Sequence, residues 1–169
     1  FATLSRLLKE GRPHVAGSPE NAVVRDRIIE EFRAYGYEPE IQTAFQCAPP
    51  DRRYPGCARI ENIIAVHKGS PGAKSVLVTA HYDSVPAGPG AADDGAGTAV
   101  VLELARTLAG RPTKNDFIFL VTDGEEVGLR GAFAFADDSA STSVLDVPEL
   151  VLGRRDGRAW VTRIALATV

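Results

Sequence analysis

The sequence predicts an α/β domain, and three observations carry that prediction. Residues 75–80 and 117–121 are short, continuous apolar runs with the length and composition of buried strands. Segments with helical spacing follow each of them, so strands and helices alternate, and right-handed crossovers are expected. The chain has 169 residues, 44% of them hydrophobic, which is enough for one domain with a real core.

Residues 2–10 read as a short helix ended by Gly11. After the loop 12–17, Ser18-Pro19 offers a good N-cap followed by proline at the first helical position. Val24, Ile28 and Phe32 recur every four residues, so a helix with one apolar stripe runs to about Tyr35, and Gly36 stops it. Residues 37–45 alternate as a strand does. Residues 59–67 form another, an edge strand closed by the turn-rich 68–72. The run 75–80 is expected to be central. A Gly-rich loop, 88–97, precedes a helix over 98–108 with Val101, Leu104, Ala105 and Leu108 on one face. The buried strand 117–121 follows, and a further helix begins within 128–136. Beyond Ala140 the pattern weakens to a strand within 144–152, and 160–169 reads either as another strand or as a frayed end. No repeat or low-complexity tract interrupts the chain.

Charge and composition exclude several classes. A net charge of −3, with acidic and basic residues interspersed, argues against a nucleic-acid footprint and against an acidic tail. No apolar run approaches the roughly 20 residues needed to cross a bilayer. The chain begins at Phe1 without an initiator Met or signal-peptide pattern, so targeting information is expected to have been removed. Cys47 and Cys57 flank a Pro-rich loop, and a disulfide and two neighbouring thiols are equally favoured there. A disulfide would suit an extracytoplasmic protein, the compartment favoured here, and would stabilise it by a few kcal/mol. Oligomeric state is not legible.

Three polar clusters sit where the apolar strands end. In an open α/β sheet, chemistry is delivered at the carboxyl ends of strands, so one shared site is expected. His81-Tyr82-Asp83 closes the first buried strand. If the strand continues, alternation puts His81 and Asp83 on one face, where the carboxylate can fix the tautomer of a metal-binding imidazole. A surface His-x-Asp loop would read the same way. Asp93 and Asp94 lie between small residues just before a helix. Capping that helix is the simpler role for Asp94, whereas Asp93 is suited to bridging two ions. The loop 88–97 is no phosphate cradle, because it lacks the Lys-Ser/Thr pair and its carboxylates would repel phosphate. Glu125-Glu126 follows the second buried strand. Adjacent glutamates at a turn are ordinarily solvated, but beside a buried strand they need a partner. One can ligate a metal while the other acts as general base on an activated water. This donor set is what a zinc hydrolase needs. His14 and His67 have no carboxylate or thiolate in a motif and read as surface or structural histidines.

The same residues carry a family resemblance. His81-Tyr82-Asp83-Ser84-Val85, the stretch from Gly90 to Gly97 around Asp93-Asp94, and Asp123-Gly124-Glu125-Glu126-Val127-Gly128-Leu129-Arg130-Gly131 resemble the co-catalytic di-zinc aminopeptidases. Arg12-Pro13-His14 and Gly17-Ser18-Pro19-Glu20-Asn21 resemble the branch holding the endoplasmic-reticulum and vacuolar-membrane metallopeptidases and their bacterial relatives. The similarity runs from about Phe1 to Ala136. It implies a three-layer sandwich around a mixed, mostly parallel sheet, of zinc-exopeptidase type and truncated. It also implies a single peptidase-like domain over 1–169, family-like to about 140 and divergent over 141–169. Two zinc ions are implied, with His81 on one, Glu126 on the other and Asp93 bridging. Glu125 would be the general base and Asp83 would orient His81. The substrate would be a peptide, losing its N-terminal residue.

The tail departs from that pattern. The family has a fourth ligand, Asp or Glu, about thirty residues past the glutamate pair, and a histidine further on. Asp156 stands near the first place, between Arg155 and Gly157, and is expected not to reach the His81 site. No histidine follows His81. The sequence therefore reads as a truncated or decayed member, weak or inactive as a peptidase by itself. A single-zinc, glutaminyl-cyclase-like acyltransferase is one rival. A catalytically dead binding module is the other.

Overall fold

A computed structural model describes residues 1–48, 50, 53–72, 74–141, 152–155 and 158–161. Helix α1 (Ala2–Leu7) is followed by α2 (Pro19–Ala34), and the hairpin β1 (Glu40–Ala48) and β2 (Gly56–His67) comes next. Then come β3 (Ser75–His81), α3 (Ala96–Leu108), β4 (Asp116–Thr122) and α4 (Arg130–Ser141). A separate antiparallel pair, β5 (Leu152–Arg155) and β6 (Arg158–Val161), closes the described chain. It overlaps the expected strands only at Leu152 and at 160–161. Asp156 lies outside the described residues. No described helix is long and apolar enough to cross a membrane.

Local chemistry explains most boundaries. Ser18 Oγ accepts the Asn21 N–H at 3.1 Å, Pro19 opens α2, and Val24, Ile28 and Phe32 form its buried stripe. Gly36 ends it at φ +88°, a left-handed backbone that glycine adopts without strain. Helix α1 is shorter than expected and loosens into a turn before Gly11.

The sheet order is β1-β2-β4-β3. It is mixed, as expected, but its balance differs from a mostly parallel sheet. The β1–β2 and β2–β4 pairs are antiparallel, and β3–β4 is parallel. A short loop can join β1 to β2 only by reversing direction, whereas β3 reaches β4 through the crossover helix α3. Two expected positions also change. Strand β2 is internal, so His67 is not on an edge, and β3 is an edge among the described strands rather than central. The half-buried residues 75–79 fit that placement. An apolar run does not report how many neighbours a strand has.

Side chains alternate across the sheet and divide the core into two layers. Ile63, Ala65, Ala80, Phe119 and Val121 pack with Leu7 of α1, Ile28 and Phe32 of α2, and Leu102 and Ala105 of α3. Ile118 and Leu120 alternate with that set, and α4, with Ala134 and Phe135 buried, lies against β1 and β2. This is the three-layer arrangement expected. Phe119 is fully buried, with its ring 5.7 Å from Tyr37 and 6.1 Å from Phe32. Phe119→Ala is expected to cost about 3–5 kcal/mol. Urea unfolding would show it as a lower midpoint at unchanged slope.

His67 belongs to this aromatic core. The Tyr37 hydroxyl donates to the Ala105 carbonyl at 2.9 Å, so His67 Nδ1, 3.3 Å away, must donate to the hydroxyl oxygen. Cys47 and Cys57 are register partners across the hairpin and form a disulfide, one of the two expectations.

Candidate metal centre

Strand β3 ends at His81 and β4 at Thr122, and these two residues are register partners in a parallel pair. Both strands therefore release their chains at the same end of the sheet. His81 is 8% exposed. Its Nδ1 lies 3.1 Å from the Asp83 carbonyl and 3.4 Å from Asp83 Oδ1, and its Nε2 lies 3.2 Å from Asp93 Oδ1. The strand stops at His81, so Asp83 does not reach the imidazole by alternation. The chain leaves the strand after His81 and turns the Asp83 carbonyl and carboxylate back onto the ring.

Asp83 has a second task. Fully buried, its Oδ1 accepts the Glu125 N–H at 3.0 Å and its Oδ2 the Glu126 N–H at 3.1 Å. One carboxylate thus fixes the imidazole and the acidic turn together. Asp94 caps α3, accepting the Gly97 N–H at 3.0 Å, and its other oxygen accepts the His81 N–H at 3.3 Å. Helix and carboxylate approach so closely that a Cβ at Gly97 would strike Asp94. The Asp93–Asp94 peptide is cis, and Asp93 itself is largely exposed.

Ligand atoms of His81, Asp93 and Glu126 all lie within 4.8 Å of one another. Glu125 Oε2 stands 3.9 Å from His81 Nε2. Sequence reasoning placed these four residues at one site, and the structure brings them together. His14 is buried and structural, its N–H donating to Ser84 Oγ at 2.8 Å and its carbonyl accepting the Ser84 N–H at 3.2 Å.

The electrostatics suit a cation. Burial works against a proton on His81, but the Asp83 carboxylate, then Asp93 and Glu125, outweigh it and hold the imidazole up at about 9. Burial, with the Asp93 and Glu125 charges, raises Glu126. Without a metal, a proton on His81 compensates the surrounding carboxylates.

The motifs did not disclose the roles of two groups. Asp123, which stands in the family-like motif but was given no role there, is 1% exposed and accepts from Asn21 Nδ2 and the Glu61 N–H, each at 3.2 Å. Burial and the Asp83 charge raise its carboxyl to about 7. Asn62 accepts the Asp123 N–H at 3.0 Å and donates to the Gly131 carbonyl at 2.8 Å. These contacts join residues sixty and more positions apart, and no local pattern announces them.

The chain matches the sequence profile of peptidase family M28 over residues 62–150. A probable zinc metalloprotease of Leptosphaeria maculans is 34% identical over 151 residues, covering 78% of this chain and 35% of that protein. Aminopeptidase YwaD of Bacillus subtilis is 50% identical over 62 residues, 37% of this chain and 14% of that protein. Among solved structures, a glutaminyl cyclase of Porphyromonas gingivalis superposes with a TM-score of 0.61 at 27% identity, covering 72% of this chain and 43% of that one. The chain spans about a third or less of the length of the curated relatives it matches.

Proposed function

The chain belongs to peptidase family M28, and from that membership we propose that it is a zinc metallopeptidase domain acting on the N-terminal residues of peptides. His81, Asp93 and Glu126 are the metal ligands in this reading, Glu125 is the general base and Asp83 a positioning residue. The observation that carries it is the convergence of one imidazole and two carboxylates within 4.8 Å. The donor set fits zinc, which takes imidazole nitrogen and carboxylate oxygen together. An N–H at Nδ1 directed to the Asp83 carbonyl leaves the Nε2 lone pair free on the side of Asp93.

When bound, zinc supplies Lewis acidity toward water and toward the scissile carbonyl. The chain's own residues then divide the remaining work. Asp83 holds the tautomer of His81 and the backbone of the Glu125-Glu126 turn. Glu125, partly exposed, has room to take a proton and to return it to the departing amine. The disulfide supports an extracytoplasmic setting.

Three ligands among the described residues are few for two ions, since a catalytic zinc takes about three protein ligands of its own. The chain by itself is therefore expected to bind zinc and to hydrolyse slowly. That single three-residue group also favours a second reading, one-zinc acyl transfer as in the cyclases. Metal analysis of the purified chain, with assays on amino-acid anilides and an N-terminal glutaminyl peptide, tests both. Slow, chelator-sensitive anilide hydrolysis is expected. Cyclisation of the glutaminyl peptide with one zinc would favour the second reading, and a chain that takes up no zinc would end both.

A further inference from the structure

Arg130 is buried, yet among the described residues its guanidinium forms no ion pair and is spent on backbone carbonyls. Its Nε donates to the Val127 carbonyl at 3.0 Å, Nη1 to Gln46 at 3.1 Å and Nη2 to Tyr54 at 2.8 Å. Gln46 directly precedes Cys47 on β1, and Tyr54 lies in the loop that leads into β2, three residues ahead of Cys57. One planar fork thus joins both sides of the disulfide-closed hairpin to the turn that follows Glu126.

That turn needs holding. Gly124, Gly128 and Leu129 all have left-handed backbones, and Leu129, at φ +59°, carries a side chain there, a conformation disfavoured for any residue with a Cβ. The turn closes on itself where the Gly128 and Leu129 N–H groups donate to the Glu125 carbonyl and the Arg130 N–H to Gly124. Glu125 and Glu126 are therefore gripped twice, by Asp83 from the strand side and by a strained turn that Arg130 fastens to the hairpin. Tyr54 leans on the same turn, since a Cβ on Gly128 would lie 3.9 Å from its ring.

We infer that Arg130 is a positioning residue for the Glu125-Glu126 turn, and that the Cys47–Cys57 hairpin is the anchor through which it acts. The catalytic meaning of that turn rests on the metallopeptidase reading, but its fastening does not. Lysine in place of Arg130 keeps the charge and cannot reach three carbonyls. Loss of the disulfide keeps the guanidinium and loosens what it holds.

Amide hydrogen exchange on metal-free protein tests the mechanical part. Arg130→Lys and the double variant Cys47→Ser/Cys57→Ser should each speed exchange at the Glu125 and Glu126 amides by at least about tenfold, the effect of losing one hydrogen bond. The amide of Leu120, in the middle of β4, serves as internal reference and should not change. Zinc affinity, read by competition with a chromophoric chelator, should fall about tenfold in both variants. In a Glu126→Gln background Arg130→Lys should cause no further loss, because it acts through that ligand. Unchanged protection at 125 and 126, or an equal loss at Leu120, would overturn the inference. If Arg130→Lys does not fold, the serine pair decides alone. A chain that binds no zinc but shows the local exchange effect would sink the metallopeptidase reading and leave the positioning role standing.

Discussion

Replacing His81 with alanine is expected to lower zinc affinity by more than about 100-fold, beyond what loss of an outer supporting residue causes. His81 is the sole nitrogen donor in the cluster; the other two ligand groups, Asp93 and Glu126, are carboxylates. Removing it leaves two like charges to hold the cation, one of them on a largely exposed side chain. Asp83→Asn should give a smaller loss, about 10–100-fold, because the ligand stays but its tautomer and the acidic turn lose a shared acceptor. Chelator competition measures both, with melting in EDTA as the control for folding. An alanine variant that binds zinc as wild type does would remove His81 from the site.

The parts of this site that could be read in the sequence are those written locally. Ser18-Pro19 announces α2 because a cap needs only three neighbouring residues. His81, Asp93 and the glutamate pair were legible because each follows an apolar strand or opens a helix, and a parallel βαβ unit delivers such residues to one end of a sheet. What stayed hidden depends on pairing between distant segments. The edge position of β3 and the internal position of β2 follow from strand order, to which apolar content is blind. The fit of Asp83 to the Glu125 and Glu126 amides depends on where β3 stops. Arg130 stood in a family-like motif without a task, since its three acceptors are backbone carbonyls, two of them contributed by the hairpin segment some eighty residues earlier. The shape of a backbone leaves no residue-type signature.

In the presence of a chelator, the folded chain is expected to lose stability as pH rises from about 4 to 9, in two stages. Asp123 carries most of the first, and Glu126, also raised, acts in the same sense. The Asp123 carboxyl is raised from 3.8 to about 7 in the folded state, chiefly by burial. Between those values the folded chain keeps a proton that the unfolded chain has released, so stability falls across that window, by an amount on the order of 4 kcal/mol. His81 carries the second. Its imidazole is raised from 6.5 to about 9, burial being outweighed by Asp83 and then Asp93 and Glu125. That contribution is complete below about 6.5 and is lost as pH climbs through 9, on the order of 3 kcal/mol. Carboxylates with lowered values, such as Glu31 and Asp116, act in the opposite sense, below their ordinary values of 4.5 and 3.8 and so at most at the foot of the first window. Asp123→Asn should flatten most of the first stage. It should also lower the whole curve by about 1–3 kcal/mol, because both Asp123 oxygens accept hydrogen bonds and an amide can accept with only one. His81→Gln should flatten the second stage alone. Zinc should reverse the upper trend, since it takes the place of the His81 proton and binds better as that proton leaves. Urea unfolding at pH 5, 7 and 9, with EDTA and with zinc, separates these effects. Wild-type stability that is flat or rising between pH 5 and 7, or a slope that survives Asp123→Asn undiminished, would show that the buried carboxyl is not what sets it.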